Sequence, residues 1–407
     1  MKPSATIIGG SIAGLFAANA LIKKSWDVTV HEKVSTPLSG RGAGIATYDE
    51  LAELVFKATG NKKVLGTNAT TRVSLDITGN IIARYDYPQV YTSWQYLFSL
   101  LRKTIPDNKY FMNDDCINIT QVNNSAISIF SNGKEKKSDL IIIANGIKSE
   151  LRTFVDPTAI PKYAEYIGWR GVVNENEISD KSLKILSEYF VVILPHNQQI
   201  ASYPIAGEGK NPFKRGNRRI NWIWYKPSPE IELKNILLGK SGKQYLDGIP
   251  PNEIRDEISM ELLLEAKEKL PPQMFELVNK TAQPLIQPIF DLESKRMVNN
   301  RFLTLGDASF TARPHVGMGV TKAAIDAFSL SDYLNPTTFE NDLTKWEKER
   351  IKAGSFLVER SRELGKYLSK KDDDNLIMPE VINVLEDTAI SLNDIKNFNA
   401  SKEVKNG

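Results

Sequence analysis

Ser4-Ala-Thr-Ile-Ile-Gly-Gly-Ser-Ile-Ala-Gly-Leu15 is a short apolar run that breaks on two glycines and resumes among small residues. Thr6 to Ile8 is β-branched, as in a buried strand, and Gly9-Gly10 is where such a strand enters a tight turn. From Ile12 to Lys24 the chain is rich in alanine and leucine and favours helix. Ala13, Gly14, Ala17 and Ala18 let that helix lie close on a sheet. Val28 to Val30 is a second strand-like run, ending at His31-Glu32. Glu32 follows Gly9 by about twenty positions, the spacing of an acid that accepts ribose hydroxyls. The glycine pattern departs from G-x-G-x-x-G, because Ser11 stands where the second glycine belongs. The residues alone allow two readings. One is a dinucleotide site, with phosphate at the helix N-terminus held by backbone N–H groups and the dipole. The other is a packed βαβ unit without a ligand. Strand, helix and acid together favour the dinucleotide, and they do not separate NAD from FAD.

The bulk composition sets limits. The 407 residues suffice for two or three structural units with a large core. Basic and acidic residues number 52 and 49 and nearly cancel, so charge predicts neither a nucleic-acid nor a membrane partner. Cys116 is the single cysteine, which excludes an intrachain disulfide and a cysteine metal site. His31, His196 and His315 are scattered, so no metal centre is expected, and His31 and His196 read as ordinary surface residues. The longest apolar runs, such as Leu140 to Ala144, are strand-sized and too short to span a bilayer. No signal peptide precedes the first strand, and a cytoplasmic location is expected.

Two further glycine clusters follow. Leu38-Ser-Gly-Arg-Gly-Ala-Gly-Ile45 is either a flexible loop or a place where backbone approaches a planar ligand, with Arg41 near a phosphate or ring. The stronger signal begins at Arg301. Phe302 to Leu305 is strand-like and ends on Gly306-Asp307. Pro314 stiffens the loop that follows, Gly317 and Gly319 free its backbone, and Val320 to Leu330 reads as helix. A second helix N-terminus is thereby aimed at something electron-rich.

The Gly-Asp-Ala turn at 306–308, the Pro-His-x-Gly-x-Gly loop at 314–319 and the Asp326-Ala327 helix resemble the second flavin motif of the FAD-dependent aromatic hydroxylases. These are the single-component flavoprotein monooxygenases. The first βαβ unit is similar to that family's ADP site. Ala144-Asn-Gly-Ile-Lys-Ser-Glu-Leu-Arg152 resembles its middle motif, with Asn145 in place of the usual aspartate. Trp94, Phe310 and Thr321 also depart from frequent family residues. Trp169-Arg170-Gly171, Tyr203-Pro-Ile205 and Arg313-Pro-His315 resemble the branch that acts on hydroxypyridines.

The resemblance implies FAD as cofactor and NADH or NADPH as a transient co-substrate without its own Rossmann domain. It implies oxygen transfer to a small electron-rich ring, aromatic or N-heteroaromatic, of 2,6-dihydroxypyridine type. Gly9, Gly10, Ser11 and Gly14 are expected around the pyrophosphate, with Glu32 and Lys33 at the adenosine side. Asp307 is expected at the ribityl or pyrophosphate part, with Arg41, Gly44, Pro314, Gly317, Met318 and Gly319 around the isoalloxazine. Tyr203 is expected to hydrogen-bond or deprotonate a ring hydroxyl, Arg170 to offset an anionic substrate, and His315 to relay protons or simply shape the loop. Two alternatives stay open: a same-fold enzyme acting on a bulkier natural product or drug, and a non-catalytic flavin-binding sensor. A homodimer is allowed for.

The motifs are spread along the chain, so a Rossmann-like FAD domain would be discontinuous, over 1–75, 92–157 and 285–365. A substrate domain, a mostly antiparallel sheet roofing the flavin, would hold 76–91 and 158–284. A C-terminal helical segment and tail would occupy 366–407, with a solvated turn at Ser369 to Asn375 and a frayed end after Ile395. In Ile220-Asn-Trp-Ile-Trp-Tyr225, period-two alternation puts Ile220, Trp222 and Trp224 on one face. That face is expected to pack on helices, and the opposite face to line a pocket.

Overall fold

The computed structural model describes residues 2–36, 44–62, 64–334, 339–369 and 376–389, with backbone alone at 339–342. The expected contacts of Arg41, most of the glycine cluster from Leu38, the turn after Ser369 and the tail after Ile395 lie outside the described residues.

The opening run forms the strand Ser4–Ile8 and the helix Ile12–Lys23, as its composition dictates. Six strands make the first sheet, in the order Val298–Asn299, Phe302–Thr304, Leu140–Ile143, Ser4–Ile8, Asp27–Glu32 and Tyr110–Met112. All its pairings are parallel except the first, an antiparallel edge. Leu140–Ile143 is buried at every position, which is why it reads as unbroken apolar sequence. The helices Ile12–Lys23 and Gly319–Tyr333 pack together over this sheet, and Phe16 meets Phe328 edge-on at 6.4 Å. This is a Rossmann-like layer with two helix N-termini at its C-terminal edge, where α/β sheets bind ligands.

The second sheet has nine strands, in the order Phe310–Thr311, Leu285–Glu293, Lys162–Asn174, Arg219–Pro227, Gln199–Ile205, Phe190–Ile193, Thr67–Leu75, Ile81–Ser93 and Gly44–Thr47. It is antiparallel apart from the pairing of Phe190–Ile193 with Thr67–Leu75. Its two faces divide as the alternation requires. Ile220, Trp222 and Trp224 are fully buried in a core shared with residues of the helices Asp256–Lys269 and Pro272–Lys280. Asn221, Ile223 and Tyr225 face a cavity.

The expected unit boundaries do not follow the strand pairing. Gly44–Thr47, Thr67–Leu75 and Leu285–Glu293 were assigned to the nucleotide unit, yet all three are strands of the second sheet. Thr67–Leu75 pairs with Ile81–Ser93 and Phe190–Ile193, partners remote from any nucleotide motif. Such pairing is set by long-range register, which local composition does not carry.

Candidate active site

Two cavities meet above the first sheet. The first, of about 410 Å³, is lined by Gly9, Ser11, Ala13, Glu32, Lys33 and Asn145, among others. It is built from backbone. Gly9 has φ +107, and a Cβ there would stand 2.5 Å from the Ala144 carbonyl oxygen. A Cβ on Gly14 would fall 1.9 Å from the Gly9 oxygen, and one on Gly10 would strike the Tyr110 hydroxyl at 2.3 Å. All three positions therefore demand glycine. Glu32 sits beneath the turn: one carboxylate oxygen accepts the Gly10 N–H at 2.8 Å, the other the Val34 N–H at 3.2 Å. Tyr110 donates its hydroxyl to the Gly10 carbonyl at 2.9 Å. Each Glu32 oxygen keeps a lone pair for a further donor, so the acid both sets the turn and remains able to accept a ribose hydroxyl.

Ser11 is the N-cap of the helix, but its side chain makes no capping hydrogen bond. It lines the cavity instead. Lys33 is exposed at the rim. The middle motif acts from behind. Buried Arg152 donates to the carbonyls of Ile147 and Ala308, at 3.0 and 3.4 Å, and so ties that motif to the Asp307 turn. Asn145 is exposed to the cavity.

Asp307 lies in the tight turn Gly306–Ala308. Its side chain is exposed, and its surface opens onto both cavities. Desolvation by the surrounding protein pushes its carboxyl pKa up, Lys322 opposes this, and Asp326 adds to it. Beneath the turn, Lys322 Nζ donates to the Gly306 carbonyl at 3.2 Å and to Asp326 at 2.6 Å. Arg350 holds the other Asp326 oxygen at 2.8 Å, completing a buried triad. The loop then passes through Pro314–Val316 and Gly317, φ +62, into the helix Gly319–Tyr333. Nothing stands near the Gly319 Cα on the side a Cβ would take.

The second cavity, of about 330 Å³, shares Trp94, Asp307, Gly319 and Val320 with the first. It is built from side chains. Tyr203 stacks on Phe190 with centroids 5.4 Å apart and leans on Tyr91 at 4.5 Å. A Cβ on Gly44 would meet the Tyr203 ring at 2.4 Å, and the Gly44 N–H is held by Asn221 at 3.0 Å. Gly44 thus seats the substrate-side tyrosine as well as bordering the cavity. Burial raises the Tyr203 hydroxyl to about 12, with Arg170 pulling the other way. It raises Tyr225 further, again against Arg170. Arg170 Nε is buried without a hydrogen-bond partner.

The candidates Arg170, Tyr203, His315, Pro314, Gly317, Met318 and Gly319 all border this cavity. Three expectations change. His315 is buried, its Nε2 lies 2.8 Å from the Tyr166 hydroxyl, and burial and Arg313 push its pKa down to about 3. It is a neutral imidazole at neutral pH, and its bond to Tyr166 holds the shape of the loop. Met318 is fully buried in a cluster with Tyr48, Val316 and Leu357, a packing role at the cavity wall. His31 is not a surface residue: it is 1% exposed, bonded to Asp114 at 2.7 Å and stacked on Phe111. His196 is exposed, as expected. Arg72, Gln89 and Tyr91 also line the cavity and were missed, because no motif marks them. Tyr225 was visible only through strand alternation.

The fold matches that of a solved hydroxylase and of a solved FAD complex. Residues 163–291 match the family model described as FAD binding domain-like. The chain is 25% identical over 370 residues to a 2,6-dihydroxypyridine 3-monooxygenase of Paenarthrobacter nicotinovorans, covering 89% of this chain and 90% of that one. The solved structure of a 2,6-dihydroxypyridine-3-hydroxylase from Arthrobacter nicotinovorans superposes with a TM-score of 0.84 at 23% identity, covering 93% and 99%. Klebsiella pneumoniae HpxO, complexed with FAD and uric acid, superposes at 0.75 with 19% identity, covering 97% and 95%. The resemblance drawn from the motifs thus extends over nearly the whole chain.

Proposed function

We propose that the chain is an FAD-dependent, NAD(P)H-consuming monooxygenase that hydroxylates a small electron-rich ring, aromatic or N-heteroaromatic. The observation that carries this is the junction of the two cavities at Asp307 and Gly319. One ligand can therefore pass from a glycine cradle at one helix N-terminus to a second helix N-terminus facing an aromatic compartment. The cradle fits FAD: three positions admit no Cβ, and Glu32 retains acceptor capacity. Gly9, Gly10, Ser11 and Gly14 would hold the pyrophosphate, Glu32 the adenosine ribose, Asp307 the ribityl side, and the 314–319 loop the ring. When bound and reduced, FAD supplies the oxygen activation.

The chain's own residues do the rest. With its hydroxyl raised to about 12, Tyr203 stays protonated at neutral pH. It donates a hydrogen bond to a ring oxygen and does not abstract a proton. The Arg170 guanidinium beside it favours the ionised ring hydroxyl, and that electron-rich form is the better oxygen acceptor. Ile223, Val316 and Met318 give the cavity wall an apolar stretch among its polar groups. Similar proteins named for a dihydroxypyridine and a hydroxynicotinate favour a single ring over a polycyclic natural product. The substrate we favour is of hydroxypyridine type. Division of labour follows the sheets, with the parallel one holding FAD and the antiparallel one the substrate. No helix among the described residues is long and apolar enough to cross a membrane, and a cytoplasmic location and a homodimer complete the proposal.

The purified chain, incubated with FAD and desalted, should be yellow. It should oxidise NADH or NADPH faster when a hydroxypyridine is added, and the product should gain the mass of one oxygen. Colourless protein overturns the reading. Retained flavin with no ring-stimulated oxidation turns it into a flavin-binding protein without hydroxylase activity.

A further inference from the structure

The substrate-side cavity holds a second buried cation, in contact with Phe190, Gln89 and Thr388. It is Arg72, 2% exposed. One terminal nitrogen donates to the Thr388 hydroxyl at 2.7 Å and the Leu385 carbonyl at 3.2 Å; the other donates to Gln89 Oε1 at 2.9 Å. The guanidinium lies over the rings of Tyr87 and Phe190 at 4.8 and 4.9 Å. No carboxylate pairs with it among the described residues. The groups facing it are Tyr48, Tyr87, Tyr91 and Gln89, none an anion at neutral pH.

Gln89 makes the arrangement directional. Its Oε1 also accepts the Tyr91 hydroxyl, at 2.7 Å. Two donors on one oxygen fix the amide's orientation and leave Nε2 as the free end. Gln89 Nε2 and Arg72 Nε are both buried without a hydrogen-bond partner, with the Gln89 amide within reach of the Tyr48 hydroxyl, which itself donates to the Val316 carbonyl at 3.2 Å. Buried donors left unpaired are costly, the more so on a charged group. The side chains around them are neutral or cationic, so what satisfies them is an acceptor that enters the cavity.

We infer that Arg72 and Gln89 form an anion-reading pole that selects rings bearing a carboxylate or ring oxyanion. This rests on the hydroxylase reading and narrows its substrate class to small planar anions. Arg72 is then a specificity residue, and its link to Thr388 makes the segment before residue 389 a wall of the same compartment.

The test uses FAD-loaded protein and follows ligand binding through the visible flavin spectrum. The probes are 2,6-dihydroxypyridine, a hydroxypyridine carboxylate and the carboxamide of the same shape. Wild-type protein should bind at least one anionic probe about 30-fold more tightly than the carboxamide, the scale of a charge-assisted hydrogen bond. Whether the carboxylate or the ring oxyanion is preferred identifies the source of the charge. Arg72→Met should abolish the preference by weakening the anionic probe, leaving the carboxamide within about threefold. Gln89→Leu, which keeps the guanidinium, should lose part of the preference and guards against misfolding of Arg72→Met. Equal weakening of charged and neutral probes would mean that Arg72 only anchors the C-terminal segment, and the inference falls. Wild-type protein that binds FAD and rings without regard to charge also removes it, leaving the hydroxylase reading intact. Protein that takes up no FAD removes both.

Discussion

The glycine cradle and the roof cavity adjoin, yet they are made in opposite ways. In the cradle the groups that line the cavity are mainly backbone at a helix N-terminus, and the side chains that matter are mainly those that are absent. Gly9, Gly10 and Gly14 leave room, and Glu32 braces the turn from below. In the roof the cavity wall is made of side chains from distant strands: Arg170 on one, Tyr203 on another, Arg72 on a third, Gln89 on a fourth. A backbone site tolerates almost no added atom but is indifferent to most neighbouring identities. A side-chain site can be retuned one residue at a time while the sheet stays the same. This is the physical basis on which one fold keeps its cofactor and changes its substrate.

That contrast predicts a gradient of effects. The largest belongs to Gly9→Val, which forces a β-branched residue to φ +107 and drives its Cβ into the Ala144 carbonyl. It should cost about 3 kcal/mol or more in stability and yield protein without bound flavin, read from thermal melts and the absorption spectrum. A Gly9→Val protein that still retained FAD would break the comparison.

Next is Asp307→Asn. The folded pKa of Asp307 is raised above its unfolded value, so its ionised form is disfavoured by folding. The fold is therefore relatively better off below pH 3.8 and loses this advantage as pH rises through the folded pKa. At neutral pH the crowding that raises this pKa works against the ionised side chain, less so for the part of it that solvent reaches. FAD-free Asp307→Asn should melt above wild type at pH 7, with the gap closing toward pH 4, while FAD binds about tenfold more weakly. Weaker melting at pH 7 would show that Asp307 is a structural brace.

Gly44→Ala tests the border. Its Cβ would enter the Tyr203 ring, so the ring must shift. Substrate KM should rise roughly tenfold, the effect of a misplaced hydrogen bond, with flavin content unchanged. Loss of FAD without a change in KM would return Gly44 to the cofactor.

How far the sequence carried each region follows from the same contrast. Glycines, the helix after them and the acid at fixed spacing are local, so the cradle was legible, as were Asp307 and the loop from Pro314. In the roof, alternation placed Asn221, Ile223 and Tyr225 on the cavity face, because period two is also local. Arg72 and Gln89 were not legible. Nothing near either residue signals a site, and they meet only because Thr67–Leu75 pairs with Ile81–Ser93. The same long-range pairing puts strands expected in the nucleotide unit into the second sheet. His31 looked like a surface residue because its partner, Asp114, lies far along the chain. His315 was correctly placed in the loop, but its role turned on burial and on Tyr166, neither of which a motif records.

The smallest effect is expected at Ser11, where the glycine pattern first seemed broken. An N-cap serine normally contributes about 1 kcal/mol when its hydroxyl binds the helix N-terminus, and replacement by glycine loses only a few tenths. Here the hydroxyl makes no capping bond, so Ser11→Gly removes nothing that the folded chain uses. FAD-free melting should be unchanged within error. What Ser11 offers is a polar side chain on the cradle wall, and any effect of Ser11→Gly should appear only in flavin affinity, by less than about fivefold. Ser11→Leu separates volume from polarity: it fills the cradle and should release FAD while the fold persists. If Ser11→Gly lowers the melting temperature of the FAD-free protein, the hydroxyl caps the helix in solution. The cradle would then depend on a side chain after all.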